Sequence, residues 1–219
     1  MPLQAFGWGV VIIGHWNPAI LTPIGIAKHC YSLPENTPIE VLVPLDQVAP
    51  VRVKHGNLVV MADAMQMQIE ATDCSYESLS SAMTVGANAL RNLPVTPVVA
   101  AGFNVKYRCE APTAPATERT SCSLDDYLTD ADYTICDRRI QRTLEFNAGR
   151  LNLILEQETA GTCVFQCNFH RNSRQQAELI EWLGLPVDRV REQVERLLGQ
   201  VLGLDITEVS NDRNSTACE

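Results

Sequence analysis

Residues 150–170 read RLNLILEQETAGTCVFQCNFH, two runs in which apolar and polar side chains alternate on either side of Thr159-Ala160-Gly161. Alternation over this length is typical of strands with one buried face, and a short break containing glycine between two such runs predicts a hairpin. If these three residues form the loop, the register pairs large apolar side chains on one face of the hairpin. The predicted apolar pairs are Leu151–Phe169, Leu153–Cys167 and Leu155–Phe165.

The opposite face of the predicted hairpin is polar and carries the pairs Arg150–His170 and Asn152–Asn168. Because side chains alternate along a strand, Cys163 and Cys167 lie on the apolar face and His170 lies on the polar face. The two cysteines are also about 13 Å apart along the strand, too far for bonds of about 2.3 Å to one zinc ion. The stretch therefore predicts buried cysteines, and we expect no metal site.

The rest of the chain combines strand and hairpin patterns with helical spacing. Residues 39–71 contain alternating and apolar runs, and His55-Gly56-Asn57 between two of them predicts a turn. Residues 76–93 have apolar side chains at helical spacing after Ser75, a favourable N-cap residue. Because hairpin signals dominate, we predict an α+β fold with mostly antiparallel sheets, packed helices and two sheet-and-helix halves.

Three further predictions concern single elements. The unbroken apolar run Val10–Ile13 predicts a strand buried on both faces. Asn17-Pro18 predicts the N-cap and the first residue of a helix. Residues 186–204 predict one long helix that closes the chain before a polar tail.

The chain has one candidate boundary between its halves. Residues 110–121 are rich in proline, alanine and threonine and show no apolar periodicity, which predicts a linker or long loop. We expect an N-terminal α+β half (1–110), the linker or loop (111–122), and a C-terminal β-meander with two helices (123–219). The sheets of the two halves are either separate or continuous, and no internal repeat is evident in the sequence.

The composition restricts the class of partner and the compartment. The net charge of −9 and the pI near 4.9 disfavour nucleic-acid binding over the whole surface, because phosphate neutralisation requires a basic face. The opening residues lack a basic stretch before an apolar run, and no segment approaches about twenty apolar residues. The eight cysteines are scattered, which favours thiols in a reducing compartment. We expect a cytoplasmic protein with no membrane association and no cofactor.

An arginine-rich stretch at residues 137–142 is the main candidate for ligand binding, since guanidinium groups suit phosphate and carboxylate. Strand alternation puts Arg138 and Arg142 on one face and Arg139 on the other. The alternative is a solvated sheet face on which the arginines pair with Asp137, Glu145, Glu156 or Glu178. The candidate anion-binding residues are Arg138, Arg139, Arg142, Arg150, His170 and Arg171.

The predicted final helix carries an apolar stripe that suggests a subunit interface. A helix of this kind can pair with its copy in a second subunit and so make a homodimer. The alternative is that the stripe docks onto the chain's own sheet, as helices do in α+β domains. The candidate interface residues are Val190, Val194, Leu197 and Val201.

These patterns leave three hypotheses for function. The first is a non-enzymatic interaction or assembly protein that acts as a homo-oligomer with a protein partner. The second is a module that binds an anion, a nucleotide or nucleic acid through the arginine-rich sheet face. The third is an enzyme in which His15 or His170 is the acid or base. Its site would be assembled from distant residues, because no local catalytic motif is present.

Overall fold

One antiparallel sheet runs through the whole described part of the chain, which in this computed structural model comprises residues 3–43, 50–109, 121–157 and 162–204. Its ten strands are β1 (Gln4–Ala5), β2 (Gly9–Gly14), β3 (Glu40–Leu42), β4 (Arg52–His55), β5 (Leu58–Ala62), β6 (Gln66–Ala71), β7 (Val98–Cys109), β8 (Arg138–Phe146), β9 (Gly149–Gln157) and β10 (Cys163–Asn172). The helices are α1 (Pro23–His29), α2 (Tyr76–Asn92), α3 (Ser123–Asp130), α4 (Gln176–Leu183) and α5 (Val187–Glu195). The fold is therefore α+β, as predicted.

The strand order makes the sheet continuous between the two halves of the chain. The order is β3-β4-β5-β6-β2-β7-β10-β9-β8, and β1 pairs with β7 beside this path. Strand β7 lies in the first half of the sequence, but it pairs with β2 on one side and with β10 on the other. The predicted linker falls almost wholly on residues 110–120, which lie outside the described residues.

The two halves repeat one order of elements, although their sequences show no repeat. The first runs β2, α1, the meander β4-β5-β6, then α2, with β3 added at the edge. The second runs β7, α3, the meander β8-β9-β10, then α4. In each half the first strand pairs with the last strand of its own meander, and β2 pairs with β7 at the centre. The two halves share the order and pairing of their strands and helices, and this likeness is not visible as a repeat of residues in the sequence.

The helices form a layer on one face of the sheet. Helix α2 packs on β2 and β6, α4 packs on β7 and β10, and α5 packs against α2. Between the layers lies an aromatic cluster in which Phe169 stacks on Phe103 at 5.0 Å between ring centroids, with Phe146 edge-on at 4.8 Å. Trp182 of α4 stacks on Phe103 at 5.6 Å and completes the cluster. No helix within the described ranges is long and apolar enough to cross a bilayer.

Several local predictions are confirmed. The pairs Leu151–Phe169, Leu153–Cys167, Leu155–Phe165, Arg150–His170 and Asn152–Asn168 are all present in the β9–β10 ladder, and the predicted loop 159–161 lies outside the described residues. Gly56-Asn57 separates β4 from β5, and Gly56 has a positive φ of 59° that glycine adopts without strain. The Ser75 hydroxyl accepts a hydrogen bond from the Ser78 N–H at 3.1 Å and caps α2.

Three element predictions need correction. Helix α1 begins at Pro23, because Thr22 is its N-cap and accepts from the Gly25 N–H at 3.1 Å; Asn17 instead caps a turn. The final helix is not uniform, since α5 ends at Glu195 and a π-helical turn covers Arg196–Val201. Strand β2 buries Val10 and Ile12 fully but leaves Val11 and Ile13 half-exposed. The two faces of this strand therefore differ in burial.

Candidate functional site

The sheet face opposite the helices is the candidate site, and we call it the open face. Helices α2 and α4 pack on the other face, and α5 packs on α2. Cys30, which ends α1, contacts Met67 on that face, and Asp125 of α3 binds Arg138 at its edge. Side chains of β7 alternate between the two faces of the sheet, and Phe103, Val105 and Tyr107 are buried on the face that the helices cover. The open-face positions on the C-terminal strands are Gly102, Asn104, Lys106 and Arg108 of β7; Val164, Gln166, Asn168 and His170 of β10; Arg150, Asn152, Ile154 and Glu156 of β9; and Arg139, Gln141, Thr143 and Glu145 of β8.

A line of hydrogen-bonded side chains crosses the open face, and we call it the amide row: Asn104, Asn168, Asn152 and Thr143, side by side on β7, β10, β9 and β8. The Thr143 hydroxyl donates to Asn152 Oδ1 at 2.8 Å, and Asn152 Nδ2 donates to Asn168 Oδ1 at 3.3 Å. Asn168 Nδ2 donates to Asn104 Oδ1 at 2.7 Å. Every donor is directed toward β7, so the row is an ordered chain of dipoles with fixed side-chain orientations.

Asn104 lies at the receiving end of the amide row, where its side chain accepts the last hydrogen bond of the series. Its Oδ1 also accepts from Gln166 Nε2 at 3.2 Å. Both bonds that the described residues make to this side chain use its carbonyl oxygen, which leaves the two amide hydrogens of Asn104 for a ligand. The next position along the row is Gly9 of β2, which has no side chain. The amide row therefore ends at Asn104.

A second row lies beside the amide row and supplies the basic groups. In it Gly102, His170 and Arg150 are neighbours across β7, β10 and β9. His170 Nδ1 lies 3.4 Å from Asn152 Nδ2, which links the two rows. A Cβ atom on Gly102 would lie 2.6 Å from the Phe169 carbonyl oxygen, closer than packed atoms tolerate, so this position accepts only glycine.

The charge of the C-terminal part of the open face differs from that of the chain. Four cationic side chains lie on it (Lys106, Arg108, Arg139 and Arg150) against two acidic ones (Glu145 and Glu156), whereas the whole chain has a net charge of −9. Arg139 pairs with Glu156 at 3.2 Å, and Arg108 donates to Gln4 Oε1 at 2.8 Å with its guanidinium 5.9 Å from the Phe6 ring centroid. Lys106 and Arg150 are thus the cations placed to meet a ligand beside the amide row.

The structure divides the six residues predicted to bind anions. Arg139, Arg150 and His170 lie on the open face, whereas Arg138 and Arg142 lie on the other face, as strand alternation predicted. Arg138 pairs with Asp125 at 2.7 Å, and Arg171 pairs with Glu178 of α4 at 2.7 Å with only 15% of its side chain exposed. The ion-pair alternative therefore describes Arg139 and Arg171 with their predicted partners, whereas Arg138 pairs with Asp125, a partner that the sequence did not predict.

The predicted interface residues lie mostly inside the chain's own core. Val190 and Val194 are 0% exposed and Leu197 is 7% exposed, whereas Val201 is 51% exposed. These burials match the alternative in which the stripe docks within its own chain. Pairing with a second subunit stays a prediction, and of these four positions only Val201 offers an accessible side chain.

The two histidines predicted as acid or base lie apart in the sheet. His170 is half-buried on the open face, and His15 is exposed just beyond the end of β2. Within the hydrogen bonds and ion pairs of the described residues, neither histidine meets a carboxylate. A depression of about 250 Å³ on the N-terminal part of the open face, lined by residues including Arg52, Met61 and Gln68, contains neither of them.

The site residues on β7 were not among those predicted from the sequence. Gly102, Asn104, Lys106 and Arg108 alternate with buried apolar residues, which identifies them as one face of a strand. Their partners on β10 are about 60 positions away in the chain, and nothing local indicates that pairing. Side-chain alternation predicts the polar face of β7, but it does not predict that Asn104 on this face completes the amide row.

The cysteines of residues 163–170 are buried and point away from His170, as predicted. Cys163 and Cys167 are each 1% exposed. Burial raises the pKa of the Cys30 and Cys167 thiols to about 12. Across the described part of the chain, no group of three or more His, Cys, Asp or Glu side chains is arranged to hold a metal ion.

The rate at which each cysteine is alkylated should decrease with the burial of its thiol. With iodoacetamide at pH 8, we expect the exposed Cys122 and Cys136 to react first. Cys30 and Cys167 should react at least about 100-fold more slowly, since a thiol of pKa 12 is about one part in ten thousand thiolate at that pH. Peptide mass spectrometry over time measures the order, and labelling in urea should abolish it. Equal rates for Cys122 and Cys167 in the folded protein would contradict the burial of β10.

Comparison of the chain with protein-family models, with curated proteins and with solved structures finds no match.

Proposed function

We propose that the protein is a non-catalytic interaction protein whose open face binds an extended acidic segment of a protein partner. The observation that carries this proposal is the amide row beside Arg150 and Lys106 on a sheet face that no described helix covers. The proposal combines the first two hypotheses from sequence, a protein partner and an anion-binding sheet face. It places the protein in the cytoplasm, where its cysteines persist as thiols.

The amide row suits a polypeptide because a side-chain amide offers the same groups as a peptide bond. Each amide has a carbonyl acceptor and N–H donors, so it can pair with either group of an extended backbone. From Thr143 to Asn104 the row crosses three strand spacings, about 14 Å. That length equals about four residues of extended chain. A short segment of a partner can therefore lie along the row.

The charges around the row favour carboxylates in that segment. On β9 Arg150 adjoins Asn152, on β10 His170 adjoins Asn168, and on β7 Lys106 adjoins Asn104. Cations thus lie on both sides of the row. Arginine binds carboxylate through two parallel hydrogen bonds, which gives direction as well as attraction. A segment with acidic side chains on alternate residues would present them all to one side, where Arg150 lies, while its backbone meets the amides.

The same face is poorly suited to single-stranded nucleic acid. Non-specific binding of that kind relies on aromatic rings that stack on successive bases. Strands β2 to β10 present no phenylalanine, tyrosine or tryptophan on the open face in the described residues, and Phe6 contributes a single ring at its margin. We therefore assign the partner to protein.

Binding of a fluorescent peptide with glutamates on alternate residues tests the proposal, by anisotropy at low salt. We expect saturable binding that weakens as salt rises, because exposed charges are screened. Arg150→Ala should raise Kd about tenfold, since a charge-assisted pair is lost. Asn168→Ala should raise Kd by a similar factor, because it interrupts the amide row at its centre.

Arg142→Ala is the matched control. Arg142 is an exposed arginine on the neighbouring strand β8, but it points to the other face. Its removal should leave Kd unchanged. Equal effects of Arg142→Ala and Arg150→Ala would contradict the open-face site. Tighter binding of an oligothymidylate than of the peptide, with the same dependence on Arg150, would assign the face to nucleic acid instead.

A further inference from the structure

Two buried cysteines face each other across the central strands. Cys109, at the end of β7, is directly opposite Cys163, the first residue of β10. Both side chains lie on the core face, with exposures of 5% and 1%, and both are in the thiol form. Burial, and then the neighbouring Cys109, raise the pKa of the Cys163 thiol, which agrees with close approach of the two groups.

The ladder geometry brings these residues within disulfide range. In this pair of strands Ser173 N–H donates to the Val99 carbonyl at 3.0 Å, so hydrogen-bonded pairs fall on the odd-numbered residues of β7. Cys109–Cys163 is one of those pairs, for which the Cα separation is about 5.5 Å. That value lies within the roughly 4.4–6.8 Å found for disulfides. The Cα separation therefore permits the bond, and the side chains must turn toward each other to bring the two sulfur atoms within bonding distance.

We propose that Cys109 and Cys163 form a reversible cross-strand disulfide by exchange with a small-molecule disulfide such as oxidised glutathione. One cysteine, as its thiolate, attacks a glutathione sulfur, and a glutathione thiolate leaves from the broken sulfur–sulfur bond. The second cysteine then loses its proton and attacks the protein sulfur of the mixed disulfide, releasing the second glutathione. Two protein thiols are oxidised and one molecule of oxidised glutathione is reduced to two thiols.

The bond would join the two strands that carry the receiving end of the amide row. It closes the chain between Cys109 and Cys163 into a loop that includes α3, β8 and β9. Closing a long loop stabilises the folded state, and an increase in Tm of about 5–10 °C is expected for a chain of this size. Burial makes the exchange slow, because a thiolate forms only when the strand ends open.

The test uses the full chain incubated with oxidised glutathione and then analysed without reduction. We expect a proteolytic peptide pair joined through Cys109 and Cys163, and a higher Tm that dithiothreitol reverses. Cys109→Ala and Cys163→Ala should each abolish the joined pair. Cys122→Ser/Cys136→Ser, which removes two exposed thiols, should retain both the joined pair and the Tm increase.

Two outcomes would overturn the proposal. One is modification of Cys122 and Cys136 by glutathione to completion while no peptide joins Cys109 to Cys163. The other is that the joined pair forms only in urea, which would place the reaction in the unfolded chain. Cys167 provides an internal comparison, because it is equally buried on β10 but lies opposite Val105 and Leu153. A disulfide at Cys167 of comparable yield would show that register does not select the pair. Neither result depends on the peptide-binding proposal.

Discussion

Val194→Asp is expected to destabilise the fold by about 4 kcal/mol or more, enough to remove most of the stability of an ordinary domain. Val194 is 0% exposed in the core, on the α5 face that packs against α2. A carboxylate at this position would lose its water without gaining a partner, and that desolvation costs several kcal/mol. Urea unfolding followed by circular dichroism measures the loss.

Val201→Asp is the matched control on the same stripe. Val201 is 51% exposed, so the substitution should change the free energy of unfolding by no more than about 0.5 kcal/mol. The pair of variants also tests the subunit interface predicted from the sequence. If the stripe joins two subunits, native mass spectrometry should show a dimer that Val201→Asp dissociates. A folded Val194→Asp protein with an altered subunit number would contradict docking of α5 within its own chain.

Phe169→Ala is expected to lower the free energy of unfolding by about 3–5 kcal/mol, because the site cannot fully collapse around the missing ring. Phe169 is 0% exposed and contacts Phe103 at 5.0 Å and Phe146 at 4.8 Å between ring centroids. Aromatic pairs in these geometries contribute beyond the area that they bury. The measurement is urea denaturation, with the slope compared to confirm that the folded state stays compact.

Tyr127→Ala supplies the comparison for an aromatic ring outside the core. Tyr127 of α3 is 72% exposed, and its removal should cost no more than about 0.5 kcal/mol. Similar losses for Phe169→Ala and Tyr127→Ala would mean that the aromatic cluster under α4 is not packed as described. If Phe169→Ala lowers the free energy of unfolding while Arg150→Ala still raises the Kd for the peptide by the same factor, the core contributes to stability and the open face to binding independently.

Half of the candidate site was accessible from the sequence. Alternation in residues 150–170 gave the polar pairs Arg150–His170 and Asn152–Asn168 in their observed register, and it separated Arg139 from Arg138 and Arg142. The helical N-cap at Ser75 was likewise readable from local spacing. The start of α1 was misplaced because two cap-and-proline pairs occur close together, Asn17-Pro18 and Thr22-Pro23. Sequence preference alone does not choose between them.

The sequence by itself determined the strands β9 and β10, their buried and polar faces, and the register of the hairpin between them, because each depends on side-chain alternation and turn residues within a few positions. Only the tertiary structure decided that β7 joins β2 to β10, that the helices cover one face, and that Asn104 completes the amide row. It also placed Cys109 opposite Cys163. These arrangements depend on pairing between segments that are distant in the chain. The entropy lost in closing the loops between them is offset by burial summed over the whole sheet, and no short stretch of sequence determines that sum.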